Sequence, residues 1–386
     1  METIVRFLKP TTSSFFLFGP RGTGKSFWLK SQFTKALWLD LLDPSTFRSL
    51  AARPERLREL IAGNPDKTEI VIDEVQKAPE LLPLVHKLIE EDKRLRFALT
   101  GSSARKLKRT GVDLLAGRAI IRALHPFMAA ELGDRFDLSR ALEYGMLPLV
   151  MAASSPRETL DSYSSLYVRE EVQWEGLVRN VGAFARFLEA MSFSHAAVLN
   201  LSNVARECQV ERKTAEGYVE ILEDLMLGFR VRVFSKKAKR ELAVHSKFYY
   251  FDAGLFRSLR PTGPFDRPQE IAGAALEGLV AQHLRAWMAY RKNQEQLFYW
   301  RTRSGVEVDF VVYGPTGLWA VEVKHSDQVR AEDLRGLQAF ATDYPEARCL
   351  LLYRGGERLK RSQTLCLPCE QFLRELHPDR EIPGWA

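Results

Sequence analysis

The sequence predicts an α/β multidomain protein, and three observations carry that expectation. A glycine-rich loop, Gly19-Pro20-Arg21-Gly22-Thr23-Gly24-Lys25-Ser26, lies between an apolar run, Phe15 to Phe18, and a helix start at Phe27-Trp28-Leu29. A β-branched run, Ile70-Val71-Ile72, ends in the carboxylate pair Asp73-Glu74. Near the C-terminus two alternating segments, Gly305 to Val312 and Leu318 to Lys324, flank a Gly314-Pro315-Thr316-Gly317 turn. The first two predict a P-loop doubly wound parallel sheet, and the third a separate α/β domain. Between them the pattern predicts a helical lid, or equally a passive helical spacer, and a winged helix-turn-helix. The expected boundaries are 1–130, 131–195, 196–247 and 248–386.

In the first segment, strand, glycine loop and helix follow one another in the order a phosphate-binding loop requires. Glycines let successive backbone N–H groups point at phosphates, with the positive end of a helix behind them. Gly19 to Gly24 would cradle the phosphates of ATP, Lys25 would reach the terminal ones, and Ser26 would hold Mg2+. The run ending at Asp73 reads as an interior strand of a parallel sheet, whose C-terminal edge carries the chemistry. Asp73 is placed for the magnesium shell and Glu74 to polarise the attacking water, so the pair predicts an ATPase. Two more strands, Ala36 to Asp40 and Arg96 to Thr100, complete the βαβ pattern, and Thr100 or Ser102 is placed to sense the terminal phosphate. Arg118 is either an arginine that neutralises transition-state charge in a neighbouring subunit or a surface residue.

Composition bounds the rest. With 386 residues, 46% hydrophobic and 27% charged, the chain can bury several cores and has no low-complexity tract. No apolar run approaches bilayer length and the N-terminus lacks signal-peptide features, so a cytoplasmic protein without membrane contact is expected. Four scattered cysteines, with Cys366 and Cys369 as a lone CxxC, predict neither a disulfide framework nor a zinc site. The net charge of +7 permits nucleic acid as a partner.

That charge clusters in the third segment. Leu201 to Cys208 reads as a short helix capped by Ser202, Arg212 to Leu222 as a second, and a basic hairpin with Arg230, Arg232, Lys236, Lys237, Lys239 and Arg240 as the wing. Arg212 and Lys213 share the second helix with Glu211, Glu216 and Glu220, which makes it a poor reader of bases. Contact of these cations with DNA phosphates is favoured over a protein-contact module. In the last segment Asp309 and Glu322 could hold a divalent metal on paired strands while Lys324 orients a water, as phosphodiester hydrolysis requires; Glu277, on a helix from Ala275 to Leu284, could join them.

Seven motifs together resemble a known family: the glycine loop, Ile72 to Gln76, Thr100 to Ser103, Leu115 to Arg118, Tyr249 to Leu255, Glu307 to Phe310, and Val321 to Lys324. The chain resembles bacterial and archaeal AAA+-type ATP-binding proteins that end in a domain of unknown function with a PD-(D/E)XK nuclease-like fold. The resemblance implies ATP binding, homo-oligomeric assembly in a ring, with a hexamer as one option, and a restriction-endonuclease-like C-terminal domain. Met146-Leu147 departs from the glycine and aromatic residue common at that position, a change expected to affect packing only. The leading expectation is an ATP-hydrolysing motor that acts on branched or broken DNA. Two alternatives stand beside it: a nucleotide-controlled protein-interaction switch with a non-cleaving platform, and an ATP-gated, Mg2+-dependent DNA nuclease.

Overall fold

The computed structural model describes residues 4–101, 115, 117–167, 172, 180–236, 240, 242, 244–291 and 294–384. The chain divides into two compact units. One comprises Leu8–His125 with Asp224–Met226, and the other Met1–Phe7, Pro126–Glu223 and Leu227–Ala386.

The unit built on Leu8–His125 holds β1 (Ser14–Phe18), α1 (Lys25–Gln32), β2 (Leu37–Asp40), α2 (Pro44–Ala52), α3 (Arg56–Ala62), β3 (Glu69–Asp73), α4 (Leu81–Glu91), β4 (Arg96–Gly101) and β5 (Ala119–Ala123). The strands form one parallel sheet in the order β2-β3-β4-β1-β5. Strands buried on both faces must be apolar nearly throughout, and β1 and β3 are. Phe16, Phe18, Ile70, Ile72 and Leu99 pack with Leu50, Leu57, Leu82 and Val85 from the helices. The non-sequential order puts the ends of β1, β3 and β4 side by side, with Ile72 beside Leu99 and Leu17 beside Thr100. That edge is where an open α/β sheet places its ligand site.

The other unit begins with short helices, α5 (Ala129–Leu132), α6 (Leu138–Tyr144), α7 (Pro148–Met151) and α8 (Pro156–Ser162). There follow α9 (Val181–Ser192), β6 (Ala197–Val198), α10 (Leu201–Glu207), α11 (Arg212–Asp224), β7 (Gly228–Val233) and β8 (Lys247–Tyr250). The remainder is α12 (Ala253–Leu259), α13 (Pro268–Tyr290), β9 (Gln296–Arg301), β10 (Glu307–Gly314), β11 (Gly317–Val323), α14 (Arg335–Asp343), β12 (Arg348–Tyr353), β13 (Leu359–Arg361), β14 (Thr364–Pro368) and α15 (Cys369–Glu375). A single nine-stranded sheet, β13-β14-β12-β11-β10-β9-β7-β8-β6, runs through the unit. The expected boundaries after 195 and 247 therefore fall inside one compact body.

Within that sheet β6 and β7 pair antiparallel with opposite edges of β8, and β7 also pairs parallel with β9. The hairpin that reads as the wing in the sequence is joined to the C-terminal strands. The cap of α10 is Asn200, whose Oδ1 accepts from the Asn203 N–H at 3.2 Å, and not the expected Ser202. Asn200 is one residue before the first helical turn, where a side-chain oxygen can reach the unpaired N–H groups. Helix α13 is much longer than expected, 23 residues, and buries Leu276, Leu279, Val280, Leu284 and Trp287.

Candidate functional site

The loop between β1 and α1 is shaped by its glycines. Gly24 takes φ 87° at the cap of α1, a left-handed conformation open to glycine without strain. A Cβ on Gly19 would run into the carbonyl oxygen of Leu124, so the strand end can approach its neighbour only without a side chain. Lys25 is buried and lies across the loop, its Nζ donating to the Gly19 oxygen at 2.6 Å and the Pro20 oxygen at 3.2 Å. Thr23 is fully buried, Arg21 is exposed, and Gly22 and Ser26 are half-buried.

Opposite the loop, Thr100 ties two carboxylate residues together. Its hydroxyl donates to Asp73 Oδ1 and accepts from the Glu74 N–H at 2.8 Å. Glu74 takes φ 61°, a rare conformation for a residue with a side chain, and its carboxylate accepts from Gln76 Nε2 at 2.5 Å. A strained non-glycine residue at the end of a sheet strand is the kind of outlier that clusters at active sites. The residues fit a nucleotide with Mg2+: backbone N–H groups and Lys25 for the phosphates, Ser26 and Asp73 for the ion. When bound, that ion would neutralise charge on the phosphates. Arg118 pairs with Glu90 near the end of α4, and Ser102 lies outside the described residues.

The second cluster lies where α13, β8, β10 and β11 meet. The β10–β11 register pairs Phe310 with Val321, so Asp309 lies opposite Glu322. Asp309 Oδ2 accepts from the Val323 N–H at 2.9 Å, and the Asp309 N–H donates weakly to Glu322 Oε2 at 3.4 Å. Lys324 Nζ donates to Glu322 Oε1 at 2.5 Å. The structure thus brings Glu277, Asp309, Glu322 and Lys324 together, and adds four residues that the sequence did not single out for this site. Lys247 of β8 is 2% exposed, and its Nζ reaches Glu277 at 3.0 Å, Asp309 at 3.1 Å and also Glu307. The Tyr249 hydroxyl donates to Glu277 at 2.6 Å, and Arg301 pairs with Glu307 at 2.8 Å.

Burial alone would lower the Lys247 pKa, but Glu277, Tyr249, Asp309 and Glu307 outweigh it and hold the ammonium well above its ordinary value. Burial, then the neighbouring Asp309 charge, pushes the Glu277 carboxyl up to about 7 and that of Glu322 up to about 8. Lys324 is raised as well, because Glu322 and Asp309 outweigh its burial. Asp309 spends both oxygens on N–H donors, and among the described residues no group of three or more His, Cys, Asp or Glu is arranged to hold a metal ion. The oxygens that a divalent ion would need are already engaged by the Lys247 ammonium.

The basic residues are partly committed. Arg230 pairs with Glu223 at 2.5 Å, Arg240 with Asp343 at 2.8 Å, and the Lys236 ammonium sits 4.1 Å from the centre of the Tyr313 ring. Arg212, Lys213 and Arg232 are exposed, while Lys237 and Lys239 lie outside the described residues.

Family models match three stretches. Residues 272–372 match a domain of unknown function, DUF4143, and residues 135–266 another, DUF8612. Residues 11–133 match the AAA domain. The N-terminal AAA domain is thus of the P-loop ATPase family, consistent with the parallel sheet. An uncharacterized protein of Mycobacterium tuberculosis and one of Mycobacterium bovis are each 25% identical over 312 residues, 79% of this chain and 69% of theirs. Among solved structures, the replication initiator DnaA bound to AMPPCP and single-stranded DNA is 12% identical with a TM-score of 0.28, covering 56% of this chain and 83% of its own. A Vibrio cholerae protein is 10% identical with a TM-score of 0.22, covering 81% and 90%. Similarity at that level carries no argument beside the AAA domain. No helix among the described residues is long and apolar enough to cross a membrane.

Proposed function

We propose that the protein is an ATP-hydrolysing AAA-type motor that acts on DNA without cutting it. One observation carries the hydrolytic part: Thr100 bonds both Asp73 and the backbone of the strained Glu74, beside the loop that bears Lys25 and Ser26. In this reading Lys25 and the loop N–H groups bind the phosphates, Ser26 and Asp73 hold Mg2+, Glu74 orients the water, and Thr100 fixes the Asp73 carboxylate and the Glu74 backbone as the phosphate leaves. Arg118, released from Glu90, completes a neighbouring site in a homo-oligomeric ring. The chain works in the cytoplasm, with the four sequence segments as its functional parts.

The order α9, β6, α10, α11, β7, β8, with β8 between β6 and β7, supports the winged helix-turn-helix reading. The succession α13, β9, β10, β11, α14, β12 supports the nuclease-like reading of the C-terminal part. Exposed Arg212, Lys213 and Arg232 supply phosphate contacts that need no base reading. Lys25→Ala should abolish ATP turnover and Asp309→Asn should spare it, measured as phosphate release. Equal loss in both would defeat the division of labour. A second reading, the nucleotide-controlled interaction switch, is favoured by the engagement of Arg230 and Arg240 in internal ion pairs. Absence of DNA affinity even at low salt would select it.

A further inference from the structure

We infer that the Lys247 ammonium permanently occupies the cation position of the C-terminal carboxylate cluster, so that this centre is a lysine-filled ion-pair joint and not a divalent metal site. The proposal does not rest on the ATPase reading.

An ammonium has three N–H donors and no acceptor. The Lys247 ammonium meets three carboxylates, those of Glu277, Asp309 and Glu307, and the lysine side chain is 2% exposed. A divalent ion bound there would draw the same oxygens to about 2.0–2.6 Å. The ammonium and the ion cannot share that space, and their like charges would repel. The lysine is not a mobile surface side chain that could swing aside. Its residue pairs with Val231 of β7 on one side and Val198 of β6 on the other, which fixes the origin of the side chain in the middle of three strands. Nor are the remaining oxygens idle: Asp309 accepts from the Val323 N–H, and Glu322 accepts from Lys324.

Lys247 lies within the stretch 135–266 and its three carboxylate partners within 272–372. The cation that a nuclease would recruit from solution is here supplied by the preceding part of the chain. The joint ties β8 to β10 and α13, and removes the metal on which phosphodiester cleavage would depend.

The test is a calorimetric titration of nucleotide-free, full-length protein with MnCl2, with melting temperature measured in parallel. Wild type should show no one-to-one Mn2+ binding that disappears in Asp309→Asn. Lys247→Met removes the ammonium and leaves the carboxylates. It should melt lower than wild type, gain Mn2+ affinity by at least about tenfold, and recover part of its melting temperature in millimolar Mn2+. A wild-type Mn2+ site lost in Asp309→Asn overturns the proposal. So does a folded Lys247→Met protein that gains no Mn2+ affinity. If Lys247→Met does not fold, the comparison of wild type with Asp309→Asn still decides. Because none of these readings uses ATP, an inactive ATPase would leave the result standing, and failure here would leave the ATPase reading intact.

Discussion

A single hydroxyl, that of Thr100, meets both acidic residues at the end of β3, and a single ammonium, that of Lys247, meets three in the other unit. Lys247 holds three like charges at short range, so taking it away leaves them unopposed, whereas Thr100 joins the Asp73 carboxylate to the Glu74 backbone N–H, so taking it away leaves one acceptor and one donor unpaired. Thr100→Val keeps the shape and removes the hydrogen bonds. We expect it to fold, at a cost of about 1–3 kcal/mol for the partners left unsatisfied, and to lose phosphate release by about 10²-fold, the range for a misplaced catalytic group. Unchanged turnover would remove Thr100 from the site.

Buried histidines give a second residue-scale prediction. His283 donates from Nδ1 to the Leu279 oxygen at 2.8 Å, and its Nε2 accepts from the Ala129 N–H at 2.9 Å. Protonation would set one N–H against another. Burial lowers the His283 pKa to about 4. The unfolded chain takes up this proton near pH 6.5 and the folded chain does not, so the contribution of neutral His283 is present above that pH and is lost as pH falls toward 4. The raised carboxyls of Asp252, Glu277 and Glu322 titrate in the opposite sense, so the effect is read as a difference. The penalty of His283→Gln in melting temperature should shrink from pH 7.5 to pH 5, by the equivalent of about 2 kcal/mol. A pH-independent penalty would contradict the neutral state.

Among the elements, α12 shows how a local rule and a tertiary contact share one residue. Asp252 caps it by accepting from the N–H groups of Gly254 and Leu255, and also accepts from the Met146 N–H at 2.7 Å. Gly254 packs against the end of α6 so closely that a Cβ would collide with the Tyr144 carbonyl. Backbone cannot give way as a flexible side chain can. Gly254→Ala should cost about 1–3 kcal/mol in denaturant unfolding, and a neutral result would mean that α6 and α12 are not held at this distance. The hairpin β7–β8 is the element that the sequence read least completely. Its cations read as those of a phosphate-gripping wing, but Arg230 turns to Glu223 of α11 and β7 pairs with β9. Strand edges and ion partners come from distant residues, which a local pattern does not contain.

At the scale of the molecule, DNA binding through the exposed cations would release counterions. Replacing Arg212, Lys213 and Arg232 by alanine should weaken DNA binding in all sequences alike and reduce the slope of log affinity against log salt by about one for each phosphate no longer neutralised. A slope that does not change would place the phosphate-binding cations elsewhere.

The sequence by itself determined the parallel sheet and the place of the glycine loop at its edge. Strand, glycine loop and helix are contiguous, and a run such as Ile70 to Asp73 can be read from apolar pattern alone because both of its faces are buried. Asp309, Glu322 and Lys324 were legible for a similar reason, since the two strands of a hairpin bring them together through a short turn. Only the tertiary structure decided what neutralises them. Lys247 is 62 residues from Asp309 and stands at the head of an aromatic strand, where a lysine has no local sign of burial. Its role exists because β8 and β10 are held in one sheet and a buried ammonium must find carboxylates.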